Sequence, residues 1–344
     1  MNHVNQKIIN AVIEKAEKVC PDSLALIGIY GSVATGEAYE KSDLDLLILI
    51  QNDEGWQLGT GFILDDSKVG YDIYCTNWEG LRFDAECHHA QISKLMDSEI
   101  VYVKNPEAYE ELCRLREQTR RFLASEDRFQ RVNELMDKAK VAYANAFLHE
   151  ELGQVRIDVF GVMHYLMEAM MLFHGRYFKR GTKRILEELA ALPIEASFLD
   201  GLKSVAASKD VSELRMLSKD LLMYAAGYLR QEKKKAEPSG SLAGTYEEMY
   251  SNWRNKVAEA AETNHVFASF MNMCSLHHML AGIASEVAIE YDNIMEAYNP
   301  DCLADNVRLF DNTLRKYEGV YQTAEIEVRR FPAVEAFAAD YCSS

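Results

Sequence analysis

Two short clusters of residues have the types and spacing to do chemistry together. Gly31-Ser32 ends one apolar run, Leu24–Tyr30, and Asp43 and Asp45 open another that continues to Ile50. Residues two apart on a strand project to one side, with Cα atoms roughly 6–7 Å apart. Carboxylates so spaced converge on hard divalent cations, which take oxygen ligands. Gly31 lets the backbone approach a ligand closely. Ser32 brings a hydroxyl and an amide to what reads as a helix start, a place suited to phosphate oxygens. A third carboxylate, Asp72, lies within an alternating strand pattern beside Tyr71. An acid there is costly unless it is paired or bound to metal. On an antiparallel neighbour of the Asp43 strand, it would complete a set of three carboxylates around two Mg²⁺ ions. Such a set suits phosphoryl-type chemistry, in which metals neutralise a triphosphate, activate an attacking hydroxyl and stabilise leaving pyrophosphate.

The elements that must position these residues are legible in the periodicity. Met1 to Cys20 reads as an amphipathic helix, with Val4, Ile8, Val12, Ala16 and Val19 at helical spacing, stopped by Pro21-Asp22. Leu24–Tyr30 is of strand length. In the run from Asp43 to Ile50, Leu44, Leu46, Ile48 and Ile50 share one face, and Asp43, Asp45, Leu47 and Leu49 the other. A strand apolar on both faces belongs in a sheet covered by helices. Val69–Thr76 is a third strand, with a weaker one at Phe62–Leu64. From about Pro106 the strand signals fade and stripes of period 3.6 take over. The clearest joins Val155, Val159, Val162, Leu166, Met170 and Phe173, with others over Val132–Leu148, Leu214–Leu229 and Val266–Met295. The expected fold class is α+β: a small mixed-sheet domain with flanking helices over residues 1–124, then an all-α bundle over 125–344.

The motif Gly31-Ser32, ten intervening residues, then Asp43-Leu44-Asp45 at an apolar strand resembles the signature of the DNA polymerase β-like nucleotidyltransferase superfamily. Within it, the stretch is most similar to the small bacterial branch that includes aminoglycoside and lincosamide nucleotidyltransferases. The resemblance covers roughly residues 24–76. It implies that Asp43 and Asp45 hold both Mg²⁺ ions, that Asp72 joins one of them, and that Gly31 and Ser32 bind the β- and γ-phosphates of an NTP, ATP for preference. Ser42, just before the pair, counts with the nucleotide-binding residues. The helical half carries no motif of comparable specificity.

Two further residues are drawn from that half. Phe173–Arg184 is the one concentrated basic segment near an aromatic pair, and Lys183 is its candidate phosphate contact. Glu168, between Met167 and Ala169 on the most apolar helix, is the candidate general base at an acceptor hydroxyl. Both have bland counterparts, a solvated loop and the edge of a polar face. Cys274 and His278 would share a helix face but make only half a zinc site. The seven scattered cysteines contain no CxxC pair, so reduced thiols are expected rather than a disulfide framework.

The formal charge of −17 argues against a nucleic-acid acceptor, because phosphates are gripped by basic faces, and favours a small cationic one. No uninterrupted apolar run reaches membrane-spanning length and no export signal is read, so a cytoplasmic protein without a membrane partner is the expectation. The function expected is transfer of a nucleoside monophosphate to a hydroxyl of a small acceptor such as an aminoglycoside. The alternatives are nucleotidylation of a protein partner, and a non-catalytic nucleotide-sensing module.

Overall fold

A computed structural model describes residues 3–38, 42–230 and 235–341. The chain divides into two compact units, Met1–Arg230 and Gln231–Ser344. This division differs from the expected boundary at residue 124, and the reason lies in the core of the first unit.

In that unit, α1 (His3–Val19) leads to β1 (Leu24–Tyr30), a single turn of helix α2 (Gly31–Ala34) and β2 (Asp45–Ile50). The hairpin β3 (Thr60–Leu64) and β4 (Val69–Ile73) follows, then the two-residue β5 (Cys75–Thr76), α3 (Trp78–Ala85), α4 (Ser93–Met96) and β6 (Glu99–Val103). The main sheet runs β5-β2-β1-β6, and β3-β4 form a separate ribbon. β1 is antiparallel to β2 and β6, while β5 is parallel to β2. No strand was expected after Thr76. β6 escapes notice because it is a short edge strand, half-buried at Ile100 and Tyr102 only.

The alternation along β2 divides as its sequence implies. Leu44, Leu46, Ile48 and Ile50 pack with Ile8, Ile9, Val12 and Ala16 of α1. Leu47 and Leu49 face the opposite layer, with Leu81, Leu95, Leu112 and Leu115. That second layer does not stop at α5 (Pro106–Ala124). It continues without a break into α6 (Arg128–Leu148), α7 (Leu152–Phe173), α8 (Ile185–Ala190), α9 (Ala196–Ala207) and α10 (Val211–Tyr228), whose buried side chains belong to the same cluster as the sheet. Periodicity marks each helix but not the partner its stripe meets, so the sequence gives no sign that these helices share the sheet's core. The α7 stripe is buried at Val155, Val159, Val162, Leu166 and Met170, as expected.

The second unit holds α11 (Thr245–Met249), α12 (Asn255–Glu262), α13 (Val266–Glu286), α14 (Leu303–Thr323) and α15 (Val334–Tyr341) around its own core of Met249, Met273, Leu276, Phe310 and Tyr321. The stripe expected over Val266–Met295 is interrupted: α13 ends at Glu286, and Ile294–Ala297 form a 3₁₀ turn. By length and mean hydropathy alone, α13 would pass for a membrane span. Met273, Leu276, Leu280 and Ala284 are nevertheless committed to the core of this unit. Cys20, Cys75 and Cys87 are buried free thiols, Cys113 and Cys302 exposed ones, and Cys342 lies outside the described residues. Burial pushes Cys75 up to about 11 and Cys87 up to about 12, which leaves little thiolate at neutral pH.

Candidate active site

The β1–α2 junction and the start of β2 lie side by side, because Tyr30 pairs with Asp45 across the antiparallel ladder. Gly31 turns the chain out of β1 with φ +66, a conformation L side chains rarely adopt. The Asp45 carboxylate fills the space where a side chain at Gly31 would stand. Asp45 also accepts the backbone amide of Ser32. The turn and the acid are therefore one packed unit. α2 is only four residues long, so its macrodipole is slight. With the Ser32 amide already engaged by Asp45, the hydroxyl is the group Ser32 can present to a ligand.

Asp43 precedes the strand proper and is exposed, whereas Asp45 is half-buried. Burial raises the Asp45 carboxyl to about 6, the neighbouring Asp43 charge adds to the rise, and the Ser32 amide opposes it. Tyr30 is pushed up to about 12 by burial and by the charges of Asp45, Asp84 and Asp43. Asp43 and Asp45 thus concentrate negative charge where solvent can only partly relieve it.

A cavity of about 510 Å³ opens on this corner. Its acidic side is Glu37, Asp43 and Asp45, with Gly31, Ser32, Thr35 and Ser42 between them. The opposite side is the segment after α7, where Lys179, Arg180, Lys183 and Arg184 line the space. Gln91, from the loop before α4, and Ser93, the first residue of α4, close a third side. Arg180 reaches across to Glu37 at 3.0 Å, and Arg184 approaches the same carboxylate at 3.8 Å. Glu188 accepts from the amides of Lys179 at 3.0 Å and Arg180 at 2.8 Å, which fixes the backbone of the basic strap. Carboxylates facing guanidinium and ammonium groups across one cavity suit a metal-bound polyphosphate.

Of the residues expected from sequence, Gly31, Ser32, Ser42, Asp43, Asp45 and Lys183 line this cavity together. Asp72 does not. It is exposed on β4, and no three acidic, histidine or cysteine side chains among the described residues stand close enough to hold a metal. The cause is local. β5 pairs with β2 in parallel at Ile48–Cys75 and Leu49–Thr76, and three residues earlier the same register would set Asp72 opposite Asp45. The chain leaves that ladder at Tyr74, and β4 pairs with β3 instead. Asp72 keeps the parity of Gly70, which lines the cavity, while Val69, Tyr71 and Ile73 point into the core.

Glu168 is also outside the cavity. It is 2% exposed, beneath the loop that precedes α4, with His164 Nε2 at 3.6 Å from its Oε1. Burial raises its carboxyl above the usual range against the opposing charges of His164 and His89. The structure therefore does not bring Glu168 together with the other expected site residues. Sequence reasoning missed Arg180, Arg184, Gln91 and Ser93. The first two stand in the basic segment from which Lys183 alone was chosen. Gln91 and Ser93 carry no sequence signal.

The fold, the paired acids and the facing strap are the setting for a comparison with known proteins. Residues 7–129 match the family described as nucleotidyltransferase domain. Residues 7–129 carry a nucleotidyltransferase domain. The match spans most of α1, the whole main sheet, the β3-β4 ribbon and α5, and contains both the Gly31-Ser32 turn and the aspartate pair. A solved nucleotidyltransferase-like protein from Exiguobacterium sibiricum 255-15 is similar at 14% identity with a TM-score of 0.37, over 66% of this chain and 78% of that one. No curated protein matches the chain.

Proposed function

We propose that the nucleotidyltransferase domain moves a nucleoside monophosphate, AMP for preference, from an NTP to a hydroxyl of a small acceptor. The acceptor oxygen forms a bond to the α-phosphorus, and the bond from that phosphorus to the bridging oxygen of the β-phosphate breaks, releasing pyrophosphate. The observation that carries this reading is the Asp43–Asp45 pair, in which burial, and then the Asp43 charge, lift Asp45 to about 6, facing four basic side chains across a single cavity.

The donor set fits divalent metal. Both acids offer oxygen ligands, and their mutual repulsion is what a cation relieves. Asp43 and Asp45 would hold Mg²⁺. Bound Mg²⁺ supplies charge neutralisation of the triphosphate and polarisation of the α-phosphate. The chain's own residues bind and orient. Lys183, with Lys179, Arg180 and Arg184, takes the β- and γ-phosphates. The Ser32 hydroxyl and Ser42 hold the tail against the turn, and Gly31 keeps the Asp45 carboxylate where it is. The net charge of −17 favours a cationic acceptor, of which an aminoglycoside is the most specific version.

A pH dependence follows from Asp45. Its folded carboxyl is raised from 3.8 to about 6, so folding favours the protonated form. The metal-free protein therefore loses stability from this group as pH rises through about 6, and regains it below the unfolded carboxyl range. Mg²⁺ binds the ionised form, so its stabilising effect grows over the same window. Thermal melts with and without Mg²⁺ should show a larger metal-induced rise in Tm at pH 8 than at pH 5.5. Equal rises at both pH values would contradict the assignment.

The reaction is tested by incubating the protein with Mg²⁺ and each of the four NTPs against aminoglycosides, lincosamides and a metabolite extract. Mass spectrometry should find an acceptor heavier by one nucleoside monophosphate, with pyrophosphate released in equal amount. No adduct and no pyrophosphate would overturn the small-acceptor reading.

A further inference from the structure

Glu168 is a buried acid that the proposed reaction does not use. Removing a carboxylate from water is expensive unless its oxygens are well met. One of its oxygens, Oε1, has no hydrogen-bond partner among the described residues, since His164 stands too far away at 3.6 Å. The position lies among the apolar side chains of Leu166, Ala169 and Met170, where packing alone calls for no acid.

What the carboxylate does hold is the amide of Ala90. The Ala90 carbonyl in turn accepts from the amide of Phe178 at 2.9 Å. Ala90 is therefore met on both sides, and the segments that run on from Ala90 and from Phe178 form two walls of the cavity. Gln91 and Ser93 follow it in the chain, and Lys179 and Arg180 follow Phe178. Phe178 is 1% exposed, so the strap is anchored at this end by a buried ring as well as by this hydrogen bond. From below the loop, Asp84 of α3 meets His89 at 3.3 Å and Lys94 at 3.2 Å, and the Gln91 amide donates to His89 Nδ1 at 3.1 Å. Glu168 is the only side chain in this chain of contacts that comes from α7, the longest rigid element in the unit.

We propose that Glu168 is a positioning residue which, through Ala90, fixes the distance between the loop carrying Gln91 and the basic strap beginning at Phe178, and so sets the width of the nucleotide site. This rests on reading the cavity as a nucleotide site. The clamp acts on binding rather than on the chemical step, because neither Ala90 nor Glu168 lines the cavity. A carboxamide at this position retains an oxygen for the Ala90 amide. An apolar side chain of similar size does not.

The test compares Glu168→Leu and Glu168→Ala with Glu168→Gln in the full chain, using Mg²⁺-ATP as the probe. Hydrogen exchange at the Ala90 and Phe178 amides should quicken in the Leu and Ala variants, while amides of β1 and β2 keep their protection. In both variants the Kd for Mg²⁺-ATP should rise about tenfold, and Glu168→Gln should restore exchange and affinity to near the parent values. Unchanged exchange at Phe178 and unchanged affinity in a folded Leu or Ala variant would overturn the clamp alone. Failure of the parent protein to bind any NTP would overturn the nucleotide reading, and with it the clamp's role in that site. A Gln variant as impaired as Leu would overturn the hydrogen-bond mechanism in favour of charge.

Discussion

Asp45→Asn should abolish nucleotide transfer while leaving the fold intact or slightly more stable. The two effects have opposite signs because they come from different states of one carboxylate. In the metal-free fold, Asp45 is half-buried beside Asp43, and its ionised form is disfavoured enough to raise it to about 6. Asparagine has nearly the same shape and can still accept the Ser32 amide through its carbonyl oxygen, but it carries no charge to repel Asp43. Tm at pH 7.5 should therefore hold or rise. Activity should fall by about 10³-fold or more, because charge stabilisation at a metal site amounts to several kcal/mol and each 1.36 kcal/mol is tenfold in rate. Asp43→Asn should lose activity comparably with a smaller change in Tm, since Asp43 is exposed. Pyrophosphate release and a thermal melt on the same samples check both. Near-normal turnover in either variant would mean that the pair does not hold the metal.

Gly31→Ala should be equally damaging to activity, and also costly to the fold. A Cβ at residue 31 would stand 2.0 Å from Asp45 Oδ2 and 2.7 Å from its Cγ, a distance no real contact tolerates. The backbone there has φ +66, where an L side chain costs roughly 1–2 kcal/mol before any clash is counted. Either the acid is driven out of place or the β1–α2 turn opens, and both outcomes dismantle the site. Gly36→Ala is the matched control. Its φ is +74, but a Cβ there meets nothing within 4 Å. It should show only the backbone cost, with activity largely kept. If Gly31→Ala and Gly36→Ala lose similar amounts of activity, the contact between the turn and Asp45 is not what matters at residue 31.

These two substitutions also mark where the sequence was legible. Gly31, Ser32, Asp43 and Asp45 are neighbours in the chain or across one antiparallel ladder, so a strand, a turn and a period of two suffice to bring them together. The basic strap was visible as a cluster of Lys and Arg in an acidic chain, but its role depends on where α7 ends, which periodicity does not give. Asp72 was harder. Its strand was read correctly as extended and its register with β2 is compatible, yet whether a strand keeps its ladder or exchanges it for a hairpin partner depends on competing hydrogen bonds. Such competition has no signature in composition. Glu168 was misread for a related reason: a helical residue amid apolar neighbours faces either a cleft or a covering loop, and only the path of residues 87–92 decides between them. The extent of the first unit was missed because helices that bury one stripe give the same pattern whether they pack on a sheet or on one another.

The proposed function turns on Asp43 and Asp45 jointly holding a divalent cation beside a triphosphate. It is met most directly by titrating the protein with Mn²⁺ in the presence of a non-hydrolysable ATP analogue and following the free-ion signal by electron paramagnetic resonance. The parent protein should withdraw Mn²⁺ and nucleotide together, Asp43→Asn and Asp45→Asn should fail to do so at the same concentrations, and both variants should melt as cooperatively as the parent. Undiminished metal–nucleotide binding by the Asp43→Asn, Asp45→Asn double variant would contradict it.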